Sequence, residues 1–94
     1  MALFWPDKSP GERLDYSLNW APPLGTDTVA SSMWAIGGGD AALVEYASSY
    51  GPKTTTIWLQ AGTPNQSYTV TNTMTTAAGR IYVQVAAIKV VSAT

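Results

Sequence analysis

The side chains able to do acid-base work in this chain are six carboxylates, Asp7, Glu12, Asp15, Asp27, Asp40 and Glu45; there is no His and no Cys. Without imidazole or thiolate, the common general bases, nucleophilic dyads and zinc sites are missing. Carboxylates alone could still hydrolyse a glycoside if two of them faced each other across a sugar ring. Four of the six fall at expected turns or near the N-terminus, where solvation or capping is the ordinary role. Asp27 before Thr28 suits a turn held by a side-chain to backbone bond. No Asp-x-Asp-x-Asp run supplies a calcium loop. Gly37, Gly38 and Gly39 before Asp40 invite a phosphate-loop reading, but the Gly-Lys-Ser/Thr ending is missing and no helix pattern follows, so a turn is expected. The expectation is a protein that is not an enzyme, with no catalytic residue, no metal site and no cofactor.

Composition narrows the partners. The five basic residues Lys8, Arg13, Lys53, Arg80 and Lys89 are dispersed and form no basic stripe, so nucleic acid is not expected. No run approaches the roughly 20 apolar residues of a membrane helix, so no membrane is expected either. Charged residues make up 12% of the chain and the net charge is -1, so electrostatic repulsion between copies is small and a homo-oligomeric assembly is expected. The N-terminus lacks the positive region of a secretory signal, which points to synthesis in the cytoplasm.

The elements that must position these groups are strands. Residues 13–20 alternate, with Leu14, Tyr16, Leu18 and Trp20 on one face and Asp15, Ser17 and Asn19 on the other. Pro22, Pro23 and Gly25 end that strand. Residues 28–36 break the alternation, because Val29 and Trp34 are five positions apart; a bulge near Ser31 and Ser32 would bring both to one side. Strands are also expected at 42–49 and at 53–59. In the latter, Trp58 is either buried between sheets or marks an exposed contact patch. In 68–75, Tyr68, Val70, Asn72 and Met74 share one face opposite a row of threonines. In 80–91, Ile81, Val83 and Val85 at one parity and Ile88 and Val90 at the other would all be buried if a bulge or twist lay near Ala86 and Ala87. Helical periodicity is absent. Pro6 and Pro10 make residues 1–12 an extended arm, whose Phe4 and Trp5 either tuck back or dock into a neighbouring subunit.

Short strands with turn signals about every ten residues describe an all-β fold. The expected form is an immunoglobulin-like antiparallel β-sandwich of six to seven strands, residues 13–94, preceded by the arm. A tyrosine opening the penultimate strand matches a tyrosine corner, in which the Tyr68 hydroxyl closes onto upstream backbone. Val70 would then pack against an apolar residue of the second strand, Val29 or Ile36.

The order and spacing of several pieces also form a pattern: Trp5, Pro6, Lys8 and Pro10; Leu14, Asp15 and Tyr16 leading to Asn19 and Trp20; Asp27, Thr28 and Val29 leading to Ser31, Ser32 and Trp34. Later come Thr55, Thr56, Trp58 and Leu59, then residues 68–72, then Ala78, Gly79 and Arg80. In these the chain resembles the phage fibre-tail adaptor family, small virion structural proteins. It departs from the family pattern in the more apolar stretch 37–50 and in a last strand without a charged run.

The resemblance implies a non-enzymatic component of a tailed-phage particle, an adaptor attaching a fibre or accessory protein to the tail or neck. It implies other virion proteins as partners and the virion as location, with sheet edges and the arm as contact surfaces. The candidate interface residues are Leu3, Phe4, Trp5, Pro6 and Trp58. The alternatives are a carbohydrate-binding or adhesion module that stacks Trp58, Tyr46 or Tyr50 on sugar rings and, more remotely, a capsid decoration protein. An arm that serves neighbours should be removable over residues 1–10 without unfolding the domain.

Overall fold

The computed structural model describes residues 3–40 and 42–92 of the 94-residue chain. Seven strands form two sheets: β1 (Leu3–Phe4), β2 (Leu14–Asn19), β3 (Val29–Gly37), β4 (Leu43–Tyr50), β5 (Thr54–Ala61), β6 (Ser67–Thr76) and β7 (Ile81–Lys89). One sheet runs β1-β7-β6-β3 and the other β2-β5-β4. All pairings are antiparallel except the two-residue β1, which lies parallel to β7. The period-two patterns decide which faces meet. Tyr16 and Leu18 of β2, Ile57 and Leu59 of β5, and Tyr68, Val70 and Met74 of β6 turn inward and form the core between the sheets. The threonine row of β6 faces out.

Several expectations are met with local shifts. The bulge in β3 lies between Val29 and Ser31, at Ala30 rather than at Ser31 and Ser32. It serves the expected purpose, since Val29 is buried and Trp34 packs against the same core. The prolines after β2 do end it, but residues Ala21–Leu24 then form one helical turn, α1, which the sequence pattern did not announce. Proline fits there because the first turn of a helix needs no backbone donors. The turn drops Leu24 into the core.

One expectation is overturned. Ile81, Val83 and Val85 are exposed, at 66%, 60% and 37%, and β7 has no bulge at Ala86 and Ala87. Its pairing with β6 is continuous, so Tyr82, Gln84, Ala86 and Ile88 sit opposite Met74, Asn72, Val70 and Tyr68 and share their inward direction. A regular register leaves the odd residues outside. Of the two partners expected for Val70, Ile36 is paired directly with it, across the ladder between β3 and β6 within one sheet. Residues 3–12 take one of the two courses expected of the arm and lie back along the sandwich. The Trp5 N–H donates to the Ala87 carbonyl (2.9 Å), Lys8 N–H to Lys89 (3.2 Å) and Val91 N–H to Lys8 (2.8 Å), so the arm is stitched along β7.

Candidate interaction surfaces

Adjacent residues of the arm alternate in and out. Trp5 is buried, its ring stacked on Tyr16 with centroids 4.8 Å apart and tilted against Trp34 at 6.1 Å. Phe4, paired with Ala87, points to the outer side of the four-stranded sheet and is 79% exposed. Pro6 is exposed, and its carbonyl accepts the Tyr16 hydroxyl (3.3 Å). Leu3 contributes backbone to β1. Trp58 lies on the outer face of the other sheet, 38% exposed, between Asp15 and Ala47. The candidate residues therefore do not form one patch. Trp5 is inside, while Phe4 and Trp58 stand on opposite outer faces.

Most residues of the pattern hold the fold. The Trp20 Nε1–H donates to Thr55 Oγ1 (2.9 Å), whose hydroxyl donates to Asn72 Oδ1 (2.8 Å). The Asn72 amide nitrogen donates to Ser32 Oγ (2.8 Å) and to the Met33 carbonyl (2.9 Å). This chain of bonds crosses the core from one sheet to the other. A buried polar chain with its members satisfied tolerates no change of register. Its sequence signal was Asn72 on an otherwise apolar inward face, since a buried amide demands partners.

Lys8 is a second internal residue that composition alone would leave at the surface. It is fully buried, and its Nζ donates to the carbonyls of Ser9 (2.8 Å) and Ala61 (2.6 Å), which clips the arm to the end of β5. Burial pulls its ammonium below the ordinary lysine value, and the nearby Glu12 opposes that shift. Lys53 Nζ similarly donates to the carbonyls of Gly25 and Asp27 (2.6 Å for the latter), tying β5 to the loop after α1.

The carboxylates act on turns. The Thr28 and Ala78 N–H groups donate to Asp27 Oδ1 (2.9 and 3.2 Å), and Arg80 lies 3.6 Å from its other oxygen. The Thr76 hydroxyl and these donors hold the Asp27 carboxyl below its usual value, with Arg80 adding to the effect. Asp40 accepts the Tyr68 hydroxyl (2.6 Å) and the Ala42 N–H (3.0 Å). Its carboxyl is also held low, first by the Thr63 side chain and then by Tyr68. The Tyr68 hydroxyl in turn accepts the Thr63 N–H (3.0 Å), so it closes onto upstream backbone as expected. The glycine triplet is a turn fitted to this corner. Gly39 has φ +47, and a Cβ there would lie 2.9 Å from the Ser67 carbonyl and 3.1 Å from the Tyr68 ring. Among the described residues, no three metal-ligating side chains cluster.

On the outer face of the three-stranded sheet the Arg13 guanidinium lies 3.8 Å over the Tyr46 ring, while Arg13 Nε donates to Gln60 (3.1 Å). The Tyr50 hydroxyl donates to the Ala30 carbonyl (2.7 Å), bridging β4 to β3. Of the three aromatics considered for sugar stacking, one ring face of Tyr46 is thus covered and Tyr50 is tied to the neighbouring sheet. A shallow depression of about 510 Å³ beside Arg13 is lined by Pro10, Glu12, Gln60 and Ala61.

No curated protein matches the chain. A family profile does: that of the podophage GP4 fiber-tail adaptor protein gp77, over residues 8–89. The matched span runs from the buried Lys8 to the end of β7 and takes in the inter-sheet bonds, the tyrosine corner and the Asp27 turn. On a match of that extent, the chain belongs to the podophage GP4 fiber-tail adaptor family.

Proposed function

We propose that this protein is a non-enzymatic structural part of a tailed-phage virion that attaches a fibre or accessory protein to the tail or neck. One observation carries the reading beyond the family name. An adaptor must hold two partners at once, and Phe4 and Trp58 are exposed aromatics on opposite outer faces of one rigid body. Exposed aromatics are the usual anchors of protein interfaces. The arm, residues 1–12, would present Phe4 and Pro6 to one neighbour, and the sandwich, residues 13–94, would present Trp58 to the other. Other virion proteins are then the partners, several copies would be arranged around the particle, and neither nucleic acid nor membrane is involved. The protein would be made in the host cytoplasm and act in the virion.

The strand order supports an immunoglobulin-type sandwich. β1-β7-β6-β3 over β2-β5-β4 corresponds to A′GFC over BED, with the tyrosine corner at the start of strand F.

Cross-linking mass spectrometry on intact particles tests the functional reading. Phe4→Ser should lose one set of cross-links and Trp58→Ala another, with the remaining set retained in each case. Particles that keep both sets in both variants would refute it. Binding of wild-type protein to a glycan array, abolished by Trp58→Ala, would favour the carbohydrate module instead.

A further inference from the structure

The edge of the four-stranded sheet beside β1 is only partly covered. Along β7 the carbonyls of Ala87 and Lys89 accept N–H groups from the arm, whereas the Arg80 carbonyl accepts the Thr76 N–H on the β6 side. Backbone direction alternates along a strand, so the odd residues of β7 turn their N–H and C=O groups towards the arm. The pairing of β1 reaches only Ala86 and Ala87, and the Val85 carbonyl accepts the Gln84 side-chain amide (2.9 Å). Among the described residues, no backbone partner faces the donors and acceptors of Ile81 and Val83.

The other sheet edges carry features that oppose strand pairing. β4 has a bulge at Tyr46 next to Glu45. β3 has its bulge at Ala30, whose carbonyl is capped by Tyr50. β2 carries Asp15 with Arg13 just before it. The open part of β7 has no charge, no proline and no bulge, and its side chains Ile81 and Val83 are the most exposed aliphatics of the strand. Such an edge is a template for another strand.

We infer that two copies of this chain join through this edge, β7 pairing antiparallel with β7 so that Ile81 of each copy lies opposite Val83 of the other. An antiparallel strand pair is two-fold symmetric, so one edge serves as its own complement. Charge favours the same occupant. The outer strip of Ile81 and Val83, flanked on β6 by Thr75 and Thr73, sets no charge against its own copy, and this register places Arg80 opposite Gln84 rather than opposite another arginine. The exchange uses the four groups of Ile81 and Val83 in each copy and leaves the bonds of β1 untouched. This deepens the homo-oligomeric part of the reading above and does not depend on the adaptor role.

Sedimentation velocity of the purified full chain, at concentrations up to roughly 1 mM, tests it, because so short a pairing corresponds to association in the high micromolar range. Wild type should self-associate. Val83→Pro removes a donor that faces away from β6, and Val83→Lys adds an edge charge; each should weaken association about tenfold or more with unchanged circular dichroism. Thr56→Lys, on the outer face of the other sheet, should behave as wild type. The chain has no cysteine, so an oxidised mixture of Ile81→Cys and Val83→Cys proteins should cross-link more than either alone. If Val83→Pro fails to fold, Val83→Lys and the cysteine mixture decide. A wild type that stays monomeric throughout, or association unaffected by both Val83 variants, would overturn the inference. So would a monomer whose Val83→Lys variant is lost from particles, since the edge would then hold a different virion protein. These readouts need no particle partner, so they fail separately from the Phe4 and Trp58 cross-links.

Discussion

At Tyr68 one hydroxyl accepts the Thr63 N–H and donates to Asp40, in a side chain that is 1% exposed. Tyr68→Phe removes both bonds and should lower stability by about 1–2 kcal/mol, read from the midpoint of chemical denaturation. Asn72→Ala leaves the buried hydroxyl of Thr55 without its acceptor and removes the donor to Ser32, and should cost about 2–3 kcal/mol in the same assay. Asp40 and Asp27 set the acid response. Both carboxyls are held below their ordinary value, so their stabilisation is complete above the unfolded-state value and is lost as pH falls through the lower folded one. The thermal midpoint should be flat above about pH 5 and fall below about pH 4, and the double variant Asp27→Asn, Asp40→Asn should show a weaker fall. The tyrosine corner was legible in the sequence because Tyr68 and Val70 are neighbours on one strand face. Asp40 as its second partner was not, since 28 residues separate the two and only the fold brings them together.

Among the elements, the arm is the most consequential. Trp5 fills core space against Tyr16 and Trp34, and Lys8 closes the seam between β7 and β5. Removing residues 1–10 should therefore destabilise the domain rather than leave it intact; Trp5→Ala alone should cost about 3–5 kcal/mol in denaturant titration. Alternation made β2, β5 and β6 readable because each has one apolar and one polar face. β7 has apolar residues at both parities, so its pattern carries no decision about which face turns inward. Pairing with β6 makes that decision, and it places Ile81 and Val83 outside. The one-turn helix α1 escaped notice because four residues are too few for a helical period to show.

For the whole molecule, the expected consequence is a single cooperative unit. The arm lies on one sheet, its tryptophan stacks on the other, and bonds through Asn72 join the two. Tryptophan fluorescence and far-ultraviolet circular dichroism should report one coincident unfolding transition; an earlier fluorescence step would show the arm peeling away by itself. The residues behind the family resemblance do mostly this internal work, which is why the resemblance was legible along nearly the whole chain while the contact surfaces were not. By itself the sequence determined the strands, the inward face of β6, the turn at the glycines and the family, because these follow from local alternation, turn chemistry and the order of motifs. Only the tertiary structure decided that Trp5 is core, that Phe4 and Trp58 stand on opposite faces, and that, among the described residues, no strand covers Ile81 and Val83 of β7. Those outcomes depend on which distant strand each segment pairs with, and side-chain burial is set by that pairing.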